Sequence, residues 1–211
     1  MRATRLSKLW LKALRTDSNT IGSVPLNFTK LTGQTANFVE VRDTDDSTVL
    51  YSVDKNGQPS TPLSAPTTAP LGIMQMAEVS VTNAQIKALR ATPKTLVAAP
   101  GAGRMLQFVS AQLINNGGTN ALTESADNAA IKYTDGSGFA VSQTIECTGF
   151  IDQTAATTTN ALPAIDTIVA SATVANAALV LHNTGDGEWG GNAAADVTLK
   201  VRVFYRVLST T

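Results

Sequence analysis

The sequence predicts a mainly β protein. An antiparallel β-sandwich, jelly-roll-like, is expected over residues 77–211, preceded by an N-terminal amphipathic helix or arm and a β-hairpin stem. Three observations carry this expectation. In the C-terminal segment Val197, Leu199, Val201, Val203, Tyr205 and Val207 alternate with Thr198, Lys200, Arg202, Phe204 and Arg206, the period-2 pattern of a strand with one buried face. Short apolar runs are separated by turn formers: Pro100-Gly101-Ala102-Gly103, Asn115-Asn116-Gly117-Gly118 and Asp135-Gly136-Ser137-Gly138. Of 211 residues 30 are Ala and 29 Thr, and only 15% are charged, against roughly 25% in an average domain. Small, β-branched and uncharged residues suit close-packed sheets and extensive subunit contact.

The elements follow in order. Residues 1–22 form a basic arm. Arg2, Arg5, Lys8, Lys12 and Arg15 stand without an acid among the first fifteen residues. Leu6, Leu9, Trp10 and Leu14 fall on one face at helical spacing. So short a helix is marginal alone in water and needs a surface to dock on. A helix packed on its own body, a frayed terminus and a membrane-surface helix share this signature, and no other segment points to membranes.

Residues 23–58 hold the hairpin. Val39 and Val41 alternate with Glu40 and Arg42; Asp43 to Ser47 form a polar turn; Val49, Tyr51 and Val53 share one face of the return strand. A lone two-stranded hairpin is marginal, so it must pair with other chains or with the main body. Residues 59–76 include Pro59, Pro62, Pro66 and Pro70, which reads as an extended, semi-rigid linker.

The domain at 77–211 begins with an alternating strand, Ala77 to Val81. Thr82-Asn83-Ala84-Gln85 resembles a capping box, with about two helical turns to follow before Pro93. Strands are expected at 94–98, 104–114, 131–133, 178–182 and 197–208. Residues 152–178, rich in Thr and Ala, read as a long loop.

Composition narrows the chemistry. The single cysteine, Cys147, and single histidine, His182, exclude an internal disulfide, Cys-based zinc sites and His-rich metal motifs within one chain. Lys+Arg and Asp+Glu are 16 each, so net charge makes no case for nucleic acid, and the arm lacks a nucleic-acid motif. No apolar run reaches the ~18 residues of a membrane span, and no secretory signal follows the basic start. Gly101-Ala102-Gly103 lacks the third glycine or Gly-Lys-Ser/Thr of a phosphate loop and reads as a hairpin turn. Asp43, Asp45 and Asp46 lack the bidentate glutamate of a calcium loop and read as a solvated turn. His182 has no nucleophile elbow before it. No catalytic residue, cofactor or metal is expected. Asp186, Glu188 and Trp189 lie in a glycine-rich string that could contact a glycan, by indole stacking and carboxylate–hydroxyl bonds, or could anchor a turn.

Two stretches resemble structural proteins of tailed bacteriophages. Ala36 to Asp43 with Thr48 to Gly57 is similar to the short hairpin unit of trimeric phage fibre stems and head fibres. Ala77 to the end, through Tyr133-Thr134-Asp135-Gly136-Ser137-Gly138 and Leu199 to Val207, is similar to small phage β-domains, some of them capsid decoration (cement) or head-fibre proteins. One hairpin unit instead of several favours a compact decoration protein. The resemblance implies a non-enzymatic homotrimer on the outer surface of the capsid, bound to the major capsid protein. Docking would then fall to Leu6, Leu9, Trp10 and Leu14, flanked by Arg5, Lys8, Lys12 and Arg15. The trimer stem would be built by Val39, Val41, Val49, Tyr51 and Val53. The alternative is a fibre-tip module that recognises a host surface glycan.

Overall fold

The computed structural model describes residues 39–42, 49–53, 59–60, 66–67, 69, 71–123, 128–165 and 170–210. These residues are mainly β, with antiparallel sheets and two short helices. The chain falls into two compact units, residues 1–60 and 61–211.

In the first unit β1 (Val39–Arg42), β2 (Val49–Val53) and β3 (Pro59–Ser60) form a three-stranded sheet in that order. Val39 stands opposite Val53 and Val41 opposite Tyr51; the register then shifts, so that Arg42 meets Val49. One extra residue on β2 makes this a β-bulge. The expected hairpin is therefore present, with a third strand that the Pro-rich reading did not anticipate. Pro59 occupies the first position of an edge strand, where a missing N–H leaves no ladder bond unmade. The arm residues Leu6, Leu9, Trp10, Leu14, Arg5, Lys8, Lys12 and Arg15, and the turn residues Asp43, Asp45 and Asp46, lie outside the described residues.

The second unit runs β4 (Met74–Val81), α1 (Asn83–Lys87), β5 (Lys94–Val97), β6 (Arg104–Asn115), β7 (Leu122–Thr123), β8 (Ala129–Tyr133), β9 (Thr157–Ala161), α2 (Ser171–Val174), β10 (Leu179–Asn183), β11 (Gly190–Gly191) and β12 (Leu199–Ser209). One sheet has the order β4-β12-β6-β9, a second β5-β10-β8, and β7 pairs with β11. Non-consecutive strands lie side by side throughout, as sandwich connections require.

The alternation read at the C-terminus is what the core uses. Leu199, Val201, Val203, Tyr205 and Val207 are all buried on one face of β12. They join Leu106, Phe108, Ala111 and Leu113 of β6, and Leu96, Val97, Ile131, Tyr133, Leu179 and Leu181 of the three-stranded sheet, in one core. Beside β12, β6 skips a step: Phe204 faces Ser110 while Tyr205 faces Phe108. The bulge absorbs one residue, so Phe108 and Ala111 can both point inward. The Tyr133 hydroxyl donates to the Leu106 carbonyl oxygen and ties the sheets together; burial raises its pKa.

Backbone bonds lace one side of the unit. The 140–145 segment binds β8 through Val141 N–H to Ile131 oxygen, 2.8 Å, and the segment after β9 through Gln143 N–H to Leu162 oxygen, 2.9 Å, and Ala164 N–H to Val141 oxygen, 2.8 Å.

Three expectations change. The 152–178 stretch holds β9 and α2 rather than a plain loop: Ala161 faces Ala111, a pair small enough for the core edge, and β-branched threonines extend the strand. The last sheet strand on this side begins at Met74, not Ala77, and Leu71 already bridges to Val207. The end of the Pro-rich stretch is thus part of the second unit, with Ala69 buried and its carbonyl held by Arg104. Finally, Pro100 to Gly103 is not a hairpin turn. It is an arch between two sheets, since β5 and β6 belong to different ones. Gly101 and Gly103 take positive φ there (93° and 72°), which glycine adopts without a Cβ clash.

Candidate functional site

The strongest concentration of polar chemistry surrounds α1 and the 186–197 loop. Thr82 caps α1: its hydroxyl accepts from Gln85 N–H and the Gln85 side chain accepts from Thr82 N–H, as the sequence pattern implied. Just past the helix, the Glu188 carboxylate accepts from Arg90 N–H at 3.0 Å and Ala91 N–H at 2.7 Å. It satisfies two backbone donors of the turn that follows the helix.

Asn192 sits at the centre, 2% exposed, with φ at 41°. Its amide nitrogen donates to Asn120 oxygen (2.6 Å) and to Asp196 Oδ1 (2.8 Å). Its side-chain oxygen accepts from Asn83 Nδ2 (2.7 Å) and Val197 N–H (3.3 Å). Lys87 Nζ reaches the Asn192 carbonyl at 3.4 Å. Asp196 Oδ2 accepts from the Thr119 hydroxyl (2.6 Å) and N–H (2.8 Å). These bonds hold the carboxylate charged and push its pKa down to about 2, with the Asn192 bond the largest cause. A depressed carboxylate pKa favours folding above its ordinary value of 3.8, and the benefit is lost as pH falls through about 2. Sequence reasoning missed this junction. A positive-φ asparagine near aspartate and glycine is a local signal, but its partner Asn83 lies 109 residues away.

The glycan candidates part company here. Trp189 is 3% exposed and belongs to the core, so it offers no ring face to a sugar. Its Nε1 has no partner among the described residues. Glu188 is engaged with backbone, and Asp186 is exposed. Of the two alternatives, stacking is excluded for a physical reason: a tryptophan buries its large apolar surface when a core is within reach. The turn-anchor alternative describes Trp189.

His182, on β10, is 8% exposed. The 135–138 turn closes over it, and a Cβ on Gly136 would lie 2.6 Å from His182 Nε2. Lys132 holds the turn through Gly136 oxygen at 2.6 Å, and Asp135 binds the Ser137 N–H and hydroxyl. His182 Nδ1 has no partner among the described residues. Burial lowers the His182 pKa below 6.5, reinforced by Lys132. A lowered histidine pKa means the unfolded chain binds the proton first. Stability is then full above about 6.5 and declines as pH falls below it. We expect the melting temperature to drop between pH 7 and pH 5, above the range where Asp135 and Asp196 titrate. His182→Gln flattens that slope if His182 causes it; an equal slope in the variant assigns it elsewhere.

Cys147 is buried. Among the described residues no group of three His, Cys, Asp or Glu is placed to hold a metal ion, and no helix is long and apolar enough to cross a membrane. A groove of about 330 Å³ on the outer face of the four-stranded sheet is lined by Ser110, Ala111, Gln112, Asn160, Leu162 and Phe204. None of these titrates. Protein-family models, curated proteins and solved structures were compared with the chain, and none matches.

Proposed function

We propose that this chain is a non-enzymatic virion protein of a tailed phage, a capsid decoration (cement) protein that binds the major capsid lattice as a homotrimer and stabilises the head from outside. The observation that carries the reading is how the second unit uses its polar side chains. Glu188, Asn192, Asp196, Thr119 and Asn83 all fasten loops to one another. That is the construction of a rigid platform. In this reading the two main sheets are a jelly-roll-like sandwich, and β1 to β3 is the stem where Val39, Val41, Val49, Tyr51 and Val53 of three chains intertwine. Leu6, Leu9, Trp10 and Leu14 dock on the capsid, with Arg5, Lys8, Lys12 and Arg15 facing acidic surface.

The mechanism is linkage. A ligand that binds only the assembled lattice raises lattice stability, and three tethered anchors bind far more tightly than one. Deleting residues 1–15 should abolish capsid binding and leave self-association intact. Full decoration by the truncated chain, measured by sedimentation with purified capsids, removes the anchor assignment. Copy number per particle, by quantitative mass spectrometry, tests the larger reading. A ratio to the major capsid protein near one supports a cement role, a very low ratio a fibre or vertex component, and absence from particles overturns both. Recognition of a host glycan draws no support from Trp189, whose ring is buried.

A further inference from the structure

Five large apolar side chains are exposed among the described residues, and they form two groups. Leu71 (51%), Ile73 (40%) and Met74 (40%) lie at the start of β4; Leu162 (55%) and Ile165 (72%) lie just past β9. β4 and β9 are the two edges of one four-stranded sheet, three strand spacings or about 14 Å apart. The groups are nearly level. Met74 stands opposite Arg206, Met76 opposite Phe204 and Phe204 opposite Ser110, and Ser110 and Phe204 line the groove beside Leu162.

Neither edge is guarded by charge. Residues 153–165 contain no Asp, Glu, Lys or Arg, and neither do residues 71–77. Exposed sheet edges ordinarily carry charges that discourage association. Beyond that stretch the acid on β4, Glu78, is paired with Arg202 at 2.8 Å and Lys200 at 3.5 Å. Bringing the two edge segments together therefore opposes no like charges within them, and the nearest cation, Arg206, stands one strand in from Met74. One edge carries the exposed Leu71, Ile73 and Met74, and the other borders a groove.

We propose that the β4 edge of one copy packs against the β9 edge and groove of the next, head to tail, so that copies of this chain close into a ring through the second unit. Two different patches on opposite sides of one body make a heterologous contact, which closes when the rotation per copy divides a full turn. The occupant of each edge is the other edge of a second copy. This goes beyond the stem contact proposed above and stands without the capsid reading.

Disulfide trapping on the full chain tests it. In Ile73→Cys/Ile165→Cys, mild oxidation should give a covalent ladder ending at one closed oligomer on a non-reducing gel, while each single cysteine variant gives none. A dimer from Ile73→Cys alone would instead show like edges meeting and overturn the head-to-tail geometry. An oligomer in native mass spectrometry with no Ile73–Ile165 bridge would leave stem association standing and remove the edge contact. A monomeric full chain would remove both. In a second pair of variants, Met74→Glu and Leu162→Glu, each should lose bridge formation in the double-cysteine background. Mixed, they should restore one contact per pair, because each keeps the edge the other lacks.

Discussion

Asn192→Ala is expected to be the most destabilising polar substitution in the second unit, by about 4 kcal/mol. Asn192 is buried and joins four segments: α1 through Asn83, the 118–120 turn through Asn120, its own loop through Asp196, and the start of the last strand through Val197. Removing the amide strands the Asn83 donor and the Val197 N–H away from water, at about 1–3 kcal/mol for each buried orphan. The backbone adds to this. Asn192 has φ of 41°, a conformation asparagine tolerates and alanine adopts at a cost of roughly 1 kcal/mol. Asn192→Gly separates the two effects, since glycine keeps the φ and loses the amide; its expected loss is about 3 kcal/mol. Urea unfolding of both variants checks the order. Asn83→Ala with Asn192→Ala should cost less than the sum, because the two share one bond. Losses near zero for both would show that the junction contributes little to the fold.

Gly138→Ala is the second large effect, expected at about 3 kcal/mol. A methyl group there would overlap the carbonyl oxygen of Tyr133. That oxygen belongs to backbone at the end of β8, in the turn that Gly138 N–H closes on Asp135 oxygen. Neither side can yield as a flexible side chain would. For a unit of this size the melting temperature should fall by roughly 6–12 °C. Two other glycines calibrate the result. Gly149 has φ of 77° and open space around it, so alanine there meets only backbone strain, about 1 kcal/mol. Gly187 has open space and no positive φ, so alanine should stay within about 0.5 kcal/mol. The expected order is Gly138, then Gly149, then Gly187. If Gly138→Ala melts with Gly187→Ala, the close approach is absent in solution.

The glycines show how far local reading reaches. Asp135-Gly136-Ser137-Gly138 announces a turn, and a turn is there. Nothing in the string says that Gly136 lies against His182, because that close approach depends on where β10 runs; Gly138 against Tyr133 is set within the turn by its backbone. The same limit governs the candidate site. Thr82 and Gln85 were legible as a cap because both partners lie within one helical turn. Glu188, which binds the turn after that helix, gave no such signal, because the N–H groups it serves are about a hundred residues earlier.

Trp189 marks the boundary most clearly. An indole in a glycine-rich loop has one sequence signature and two fates, and burial decides between them. In the same way, the Thr- and Ala-rich stretch 152–178 read as a long loop, but β6 offers an edge that residues 157–161 join. The Pro100–Gly103 turn could be placed by composition, but not whether it stays within a sheet or crosses between two.

By itself, the sequence determined the class of the second unit and the inward face of its last strand, because alternation and turn chemistry act over a few residues and burial follows the strand period. It also determined the capping box and the β1–β2 pairing. Only the tertiary structure decided which strands are neighbours, that Gly136 lies against His182, that Trp189 is core, and that Asn83 and Asn192 meet. Those outcomes rest on contacts between segments far apart in the chain, and their energy exists only when the sheets have assembled around one core.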